Sequence, residues 1–184
     1  MVFAEDDMLQ EKIRLMRSHG MSAPTLDRHL GRAKTYDVVS HGLNYRPDEI
    51  RAAIGRVQLK KLDAGNERRR QLAHRYTHNL ASAGLLVPFS NSPSNINSSH
   101  HIFPLILPKT TNRFAVMEDM KASGIQTSIH YPSFKSFSAY VEATSDLETP
   151  VADKICEREL TLPLHPRMSI DDVDYVSKSL IGMI

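Results

Sequence analysis

Apolar residues recur along this chain in two rhythms, one of three to four positions and one of two, with glycine, proline and small polar residues at the breaks. Met1-Val2-Phe3-Ala4 is a short apolar run halted by Glu5-Asp6-Asp7, the pattern of a strand tail followed by an aspartate N-cap. Leu9, Ile13 and Met16 then lie along one helical face, which Gly20 is placed to end. Residues 21–41 show no sustained period and read as a loop with room for one short helix. Gly42 permits a turn through positive φ. Pro47 suits the first position of a second helix, and Asp48 and Glu49 set negative charge on its positive end. Ile50, Ala53, Ile54 and Val57 give that helix a buried side. A separate helix is expected over Asp63–Ala83, with Leu72, Ala73, Tyr76 and Leu80 inward and Gly84 at its end.

Beyond Gly84 the rhythm alternates between strand and helix. Leu85-Leu86-Val87 reads as a short strand, and residues 90–99 as a polar, turn-forming loop. His100–Leu107 is the strongest strand signal, although Pro104 favours an edge or a bulge over a fully paired central strand. Asn112–Ser123 reads as a helix with Phe114, Met117 and Met120 inward, closed by Gly124. Ile125–His130 alternates as a half-buried strand should. Pro150–Leu160 is expected to be helical, and Leu162–Pro166 to be an extended link. Ser169-Ile170-Asp171-Asp172 has the form of a capping box opening the last helix. The fold class is α/β, with an α+β small domain from about residue 61 in which helices pack on a small, mainly antiparallel sheet.

Composition narrows the function classes. The 184 residues carry 23 Lys and Arg against 21 Asp and Glu, a net charge of +2, which gives no reason to expect nucleic acid or an anionic membrane as partner. Arg68-Arg69-Arg70 is a basic cluster on a helix, read as a solvated face rather than a nucleic-acid contact. His74 and His78 stand four apart, but two ligands make no metal site, and they read as exposed neighbours. The only cysteine, Cys156, excludes an intrachain disulfide, fits a cytosolic setting and reads as a small core residue. No run approaches a membrane span, and no common catalytic motif is present.

A constellation remains in Asn44, Tyr45, Arg46, His100, His101, His130 and Tyr131. Asn44, Tyr45 and Arg46 bring an amide, a phenol and a guanidinium in succession, a set suited to an anionic, hydroxyl-rich ligand because Arg can fork onto phosphate. His130-Tyr131-Pro132 follows directly on an expected strand, where a loop can present an imidazole to a sugar hydroxyl or a carboxylate, or where the ring simply packs at the strand end.

The string GLNYRPDEIRAAIGRVQLKKLD resembles the G-x-N-Y-R-x-x-E-I-x-A-A-x-G-x-x-Q-L-x-x-L segment of the DegT/StrS family of pyridoxal-phosphate (PLP) sugar aminotransferases. Gly124–Pro132 resembles the family's G-I-x-T-x-x-H-Y-P pattern, and Leu162–Pro166 its late L-P-L-x-P element. Ser133 and Lys135 depart from it, standing where a second proline and a second histidine are usual. The resemblance implies the C-terminal portion of a dimeric fold-type-I enzyme that moves an amino group, commonly from glutamate, to a keto sugar nucleotide. It divides the chain into a tail of the large PLP-binding domain over 1–60 and a small domain over 61–184. It implies that the sequence starts partway through a larger protein and lacks the lysine that holds PLP as a Schiff base. Asn44 then matches the residue that reaches the PLP phosphate of the other subunit, with Tyr45, Arg46, His130 and Tyr131 on the substrate side. Such a chain is expected to be inactive alone and not to bind PLP alone. The other reading is a non-catalytic dimerisation or interaction module derived from the same family.

Overall fold

The computed structural model describes residues 2, 4–23, 27, 29–90 and 98–184. The strand tail expected at Met1–Ala4 lies partly outside these residues, as does most of the loop at 90–99, while Val2 and Ala4 carry no strand pairing. The chain divides into two compact units, Met1–Lys60 and Lys61–Ile184.

In the first unit, α1 spans Asp7–Arg17, and the Asp6 carboxylate accepts the Leu9 N–H at 2.6 Å as its N-cap. The helix ends at Ser18, and the left-handed turn after it begins on His19 (φ +61°) rather than on a glycine; Gly20 (φ +68°), one position later than a glycine stop needs, returns its N–H to the Leu15 carbonyl at 2.7 Å. No residue of α1 is buried. The chain then pairs briefly at Met21 and Val38 and again at Ser18 and Asn44, antiparallel in both places. The next helix begins at Glu49, two residues later than Pro47 suggests, because Asp48 acts as its cap. The Asp48 Oδ1 accepts the Arg51 N–H at 2.8 Å, and its Oδ2 pairs with the Arg51 guanidinium at 2.9 Å. The side expected to be buried is open, with Ile50, Ile54, Val57, Leu59 and Leu62 all exposed.

Helix α2 runs without interruption over Glu49–Leu80, so the two helices expected at Pro47–Leu62 and Asp63–Ala83 are one. Nothing between Leu62 and Asp63 breaks the backbone ladder, and Asp63, a plausible cap in sequence, is an interior helical residue. Its last turns carry Leu72, Ala73, Tyr76 and Leu80 into the core of the second unit, the residues the periodicity selects.

That core forms around a two-stranded antiparallel sheet, β1 (Phe103–Ile106) and β2 (Glu159–Leu162), in the register Phe103–Leu162 to Ile106–Glu159. Single antiparallel bridges extend it on both sides, Leu86 to Ile106 and Ser128 to Thr161. Leu85–Val87 and Ile125–His130 thus contribute one paired residue each rather than full strands. Pro104 is tolerated because it lies opposite Thr161, whose own N–H and C=O are engaged with Ser128 on the far side of β2. The missing proline N–H therefore removes no ladder bond to β2.

The sequence pattern predicts helix through Leu160 and no strand where β2 lies. The helix α4, after α3 (Arg113–Ala122), covers only Pro150–Arg158, and the chain turns straight into a strand at Glu159. All four β2 residues are buried, so the run shows no alternation to betray it. Arg113 stabilises this abrupt change, donating to the carbonyls of Cys156 and Glu159. A 3₁₀ turn occupies Phe134–Ser136, and α5 spans Ile170–Ile181. The Ser169 capping box is complete: its hydroxyl accepts the Asp172 N–H at 3.0 Å while the Asp172 carboxylate accepts the Ser169 N–H at 2.7 Å.

Three side-chain readings change. Phe114 points outward with the Arg113 guanidinium 5.2 Å from its ring, and Val116 takes its place beside Met120 in the core. Cys156 is half-buried rather than core. The Arg68–Arg70 cluster is no free solvated face: Arg68 donates to the Met168 carbonyl at 2.8 Å, Arg69 to the Ser99 carbonyl at 2.9 Å, and Arg70 pairs with Glu67. His74 and His78 are exposed, and the described residues hold no cluster able to bind a metal ion. Among the described residues no helix is long and apolar enough to cross a membrane.

Candidate functional site

The Asn44 loop is held to the end of α1 by main-chain bonds. Leu43 donates to Met16 at 2.6 Å, His19 to Leu43 at 3.0 Å and Tyr45 to Arg17 at 3.0 Å, each from backbone N–H to backbone carbonyl. Two glycines make this approach possible. A Cβ on Gly42 would stand 2.2 Å from the Gly20 nitrogen, and one on Gly20 would stand 1.8 Å from the Ser40 carbonyl oxygen. Gly42 is therefore required by close packing and does not take the positive φ its sequence context suggests.

Asn44, Tyr45 and Arg46 are all exposed on this tethered segment. The Arg46 Nε–H donates to the Asn44 Oδ1 at 3.4 Å, a long bond that nonetheless orients the amide. With its oxygen turned to a guanidinium, the Asn44 amide nitrogen is left as a donor, and Arg46 keeps its terminal nitrogens for an anion. One neutral donor beside one cation fits a phosphate oxygen and an adjoining negative group.

His130 and Tyr131 belong to the other unit, just after the Ser128 bridge. The His130 N–H donates to the Glu159 Oε2 at 2.8 Å, and its Nδ1 lies 3.0 Å from the Thr161 hydroxyl and 3.4 Å from that of Ser128. The Thr161 hydroxyl in turn donates to the Glu159 Oε1 at 2.5 Å. Tyr131 stands edge-on to the imidazole, with centroids 5.0 Å apart, and is 67% exposed. His130 is thus neither a loose surface ring nor a packed core one; it is anchored on one side and open on the other. Glu159 and Thr161 were not legible as site neighbours, since the residues around them read as helix and link. The available signal was a Glu and a Thr flanked by leucines, polar groups in a run that a buried strand must satisfy internally.

The two departures from the family pattern meet at one residue. Lys135 pairs with the Asp153 Oδ2 at 3.0 Å, and the Ser133 hydroxyl donates to the Asp153 Oδ1 at 3.2 Å. The Lys135 hydrogen bond, with those of Thr149 and Ser133, holds the Asp153 carboxyl below its ordinary range. Lys135 is therefore engaged in fastening the loop after Tyr131 to α4. His100, with φ +44°, is half-buried beside Arg70 and Arg69; burial first and those charges second push its pKa down. His101 is exposed.

The model of the DegT/DnrJ/EryC1/StrS aminotransferase family matches residues 1–181. This chain belongs to that family. Among curated relatives, the uncharacterized protein MJ1066 of Methanocaldococcus jannaschii is 29% identical over 184 residues, covering 94% of this chain and 46% of its own length. Among solved structures, Helicobacter pylori PseC, an aminotransferase involved in the biosynthesis of pseudoaminic acid, superposes with a TM-score of 0.85 at 25% identity, over 98% of this chain and 47% of PseC. The sugar aminotransferase CalS13 from Micromonospora echinospora gives a TM-score of 0.80 at 26% identity, over 96% and 45%. The chain thus spans about half the length of the relatives it matches. The family uses PLP, and the arrangement of helices on a small antiparallel sheet is part of the sugar aminotransferase fold.

Proposed function

We propose that this chain forms the C-terminal part of a PLP-dependent sugar aminotransferase, one that moves an amino group from glutamate to a keto sugar nucleotide. The observation that carries this is the Asn44–Arg46 pair, whose geometry leaves an amide donor and a guanidinium exposed on a segment tethered through backbone bonds. PLP supplies an electron sink for amino transfer when bound. Asn44 donates one hydrogen bond to its phosphate, in the site of a neighbouring subunit of a homodimer. Arg46 and Tyr45 take the anionic and hydroxyl groups of the substrate, and His130 and Tyr131 take the sugar. The lysine that binds PLP covalently comes from a first half of the family type; Lys12 on α1 and Lys34 in the following loop lie in no such context. The regions 1–60 and 61–184 correspond to the tail of a large domain and to a small domain.

The test has two arms. Treating the chain with PLP and borohydride should leave no single lysine labelled stoichiometrically, and glutamate should not turn over. Adding a family-type first half that carries the lysine should restore amino transfer. In that mixture Asn44→Ala should weaken PLP retention about ten- to a hundredfold, since a hydrogen bond to a charged group is worth about 1.5–3 kcal/mol. One specifically labelled lysine together with turnover by this chain alone would overturn the proposal. The exposed apolar side of α2 supports a second reading, an interaction module without catalysis, which predicts no amino transfer when the first half is added.

A further inference from the structure

We infer that Glu159 and Thr161 are positioning residues that hold the His130 imidazole as its Nδ1–H tautomer, so that Nε2 is presented as a hydrogen-bond acceptor. The argument is one of counting donors. Glu159 is 3% exposed, and no cation pairs with its carboxylate among the described residues. Its two oxygens are each committed, Oε2 to the His130 N–H at 2.8 Å and Oε1 to the Thr161 hydroxyl at 2.5 Å. The Thr161 hydroxyl is the donor in its bond to Glu159, so its single proton points there. The Thr161 oxygen then has only lone pairs for the His130 Nδ1, 3.0 Å away. Nδ1 must supply the proton, which leaves Nε2 of the neutral ring bare. Ser128, at 3.4 Å from Nδ1, can accept a share of the same proton and does not reverse the direction.

The consequence for a ligand follows directly. An acceptor at Nε2 recognises a group that brings its own proton, a hydroxyl or an ammonium, and repels a bare carboxylate or keto oxygen. Only this ligand assignment rests on the reading of His130 as a substrate residue; the tautomer does not.

The relay has a built-in reversal. Glu159→Gln replaces one oxygen by an NH₂ group, and the His130 N–H requires that the remaining oxygen face it. The amide nitrogen then faces Thr161 and donates to its oxygen, the Thr161 proton swings to Nδ1, and the imidazole proton moves to Nε2. Nitrogen NMR of the full ¹⁵N-labelled chain reads this out, since a protonated and a bare ring nitrogen resonate far apart. Spectra are taken well above the ordinary imidazole pKa of about 6.5, with His130→Gln used to assign the signals. The expected result is a protonated Nδ1 and bare Nε2 in the wild type, the opposite in Glu159→Gln, and the wild-type pattern in Thr161→Ser. A wild-type ring protonated at Nε2, as free histidine prefers, would overturn the inference without any variant. So would a folded Glu159→Gln protein with an unchanged pattern. Loss of sugar-substrate affinity in the reconstituted enzyme on His130→Gln tests the substrate reading separately, so the two failures are distinguishable.

Discussion

Tyr76→Phe is the sharpest probe of how the second unit is held together. The Tyr76 side chain is fully buried, its ring stacks on Phe103 with centroids 4.8 Å apart and planes 28° apart, and its hydroxyl donates to the Pro163 carbonyl at 2.9 Å. Burial pushes the phenol pKa far up, so the group is a neutral donor at any working pH. Phenylalanine keeps the ring, the stacking and almost all of the volume, so the change isolates the one bond. A typical net hydrogen bond contributes about 0.5–1.5 kcal/mol, and a buried acceptor left unpaired adds about 1–3 kcal/mol. Pro163 is only half-buried, so the lower part of the second range applies. The expected loss is therefore about 1–2 kcal/mol, or a fall in Tm of several degrees for a unit of this size. Urea unfolding followed by far-UV circular dichroism measures it, with an unchanged m-value showing that the unfolded ensemble is the same. A loss within 0.3 kcal/mol of zero at constant m, roughly the scatter between independent sites, would mean that the Pro163 tether does not contribute. The end of β2 would then have to be held by its pairing with Phe103 and by apolar packing.

Two further outcomes are expected. Asp174 accepts from both Arg75 at 2.7 Å and Asn79 at 2.7 Å, and the Arg75 bond, followed by that of Asn79, lowers its pKa to about 2. Its folded value lies below the unfolded carboxylate value of about 3.9, so this stabilisation is complete above pH 5 or so and fades as pH falls towards about 2. Asp174→Asn should flatten the acid limb of the stability curve in that window, and parallel curves for the two proteins would sink the idea. The exposed Met8, Ile50, Ile54 and Val57 should make the isolated chain bind an apolar dye and associate as concentration rises. Ile54→Glu should lessen both effects, whereas a monodisperse wild-type monomer at high concentration in light scattering would refute this.

Much of the second unit was legible because its signals agree. The period of Leu72, Ala73, Tyr76 and Leu80 and the Ser169–Asp172 box each specify one local structure, and the packing accepts it. One failure comes from a short element buried on every side. β2 has four residues and no exposed face, so neither alternation nor a turn signal announces it, and the preceding helical residues absorb it. Phe114 fails differently: on a helix of ten residues the apolar stripe can rotate by one position, and Val116 fills the core instead. For the candidate site, Asn44 to Arg46 and His130 to Tyr131 were visible as residue types with chemistry to offer. Glu159 and Thr161 were not, because their link to His130 is made across the sheet, between residues far apart in the chain.

The anchoring of the Asn44 loop also sets which positions are free to drift. Its address is written in amide and carbonyl groups, which every residue but proline possesses, so exchanges at Met16, Arg17, Leu43 or Tyr45 leave the tether in place. The whole burden of invariance falls on Gly20 and Gly42, where even a methyl group would collide with main-chain atoms. The side chain at position 45 can therefore change while the neighbouring Asn44 backbone keeps its place.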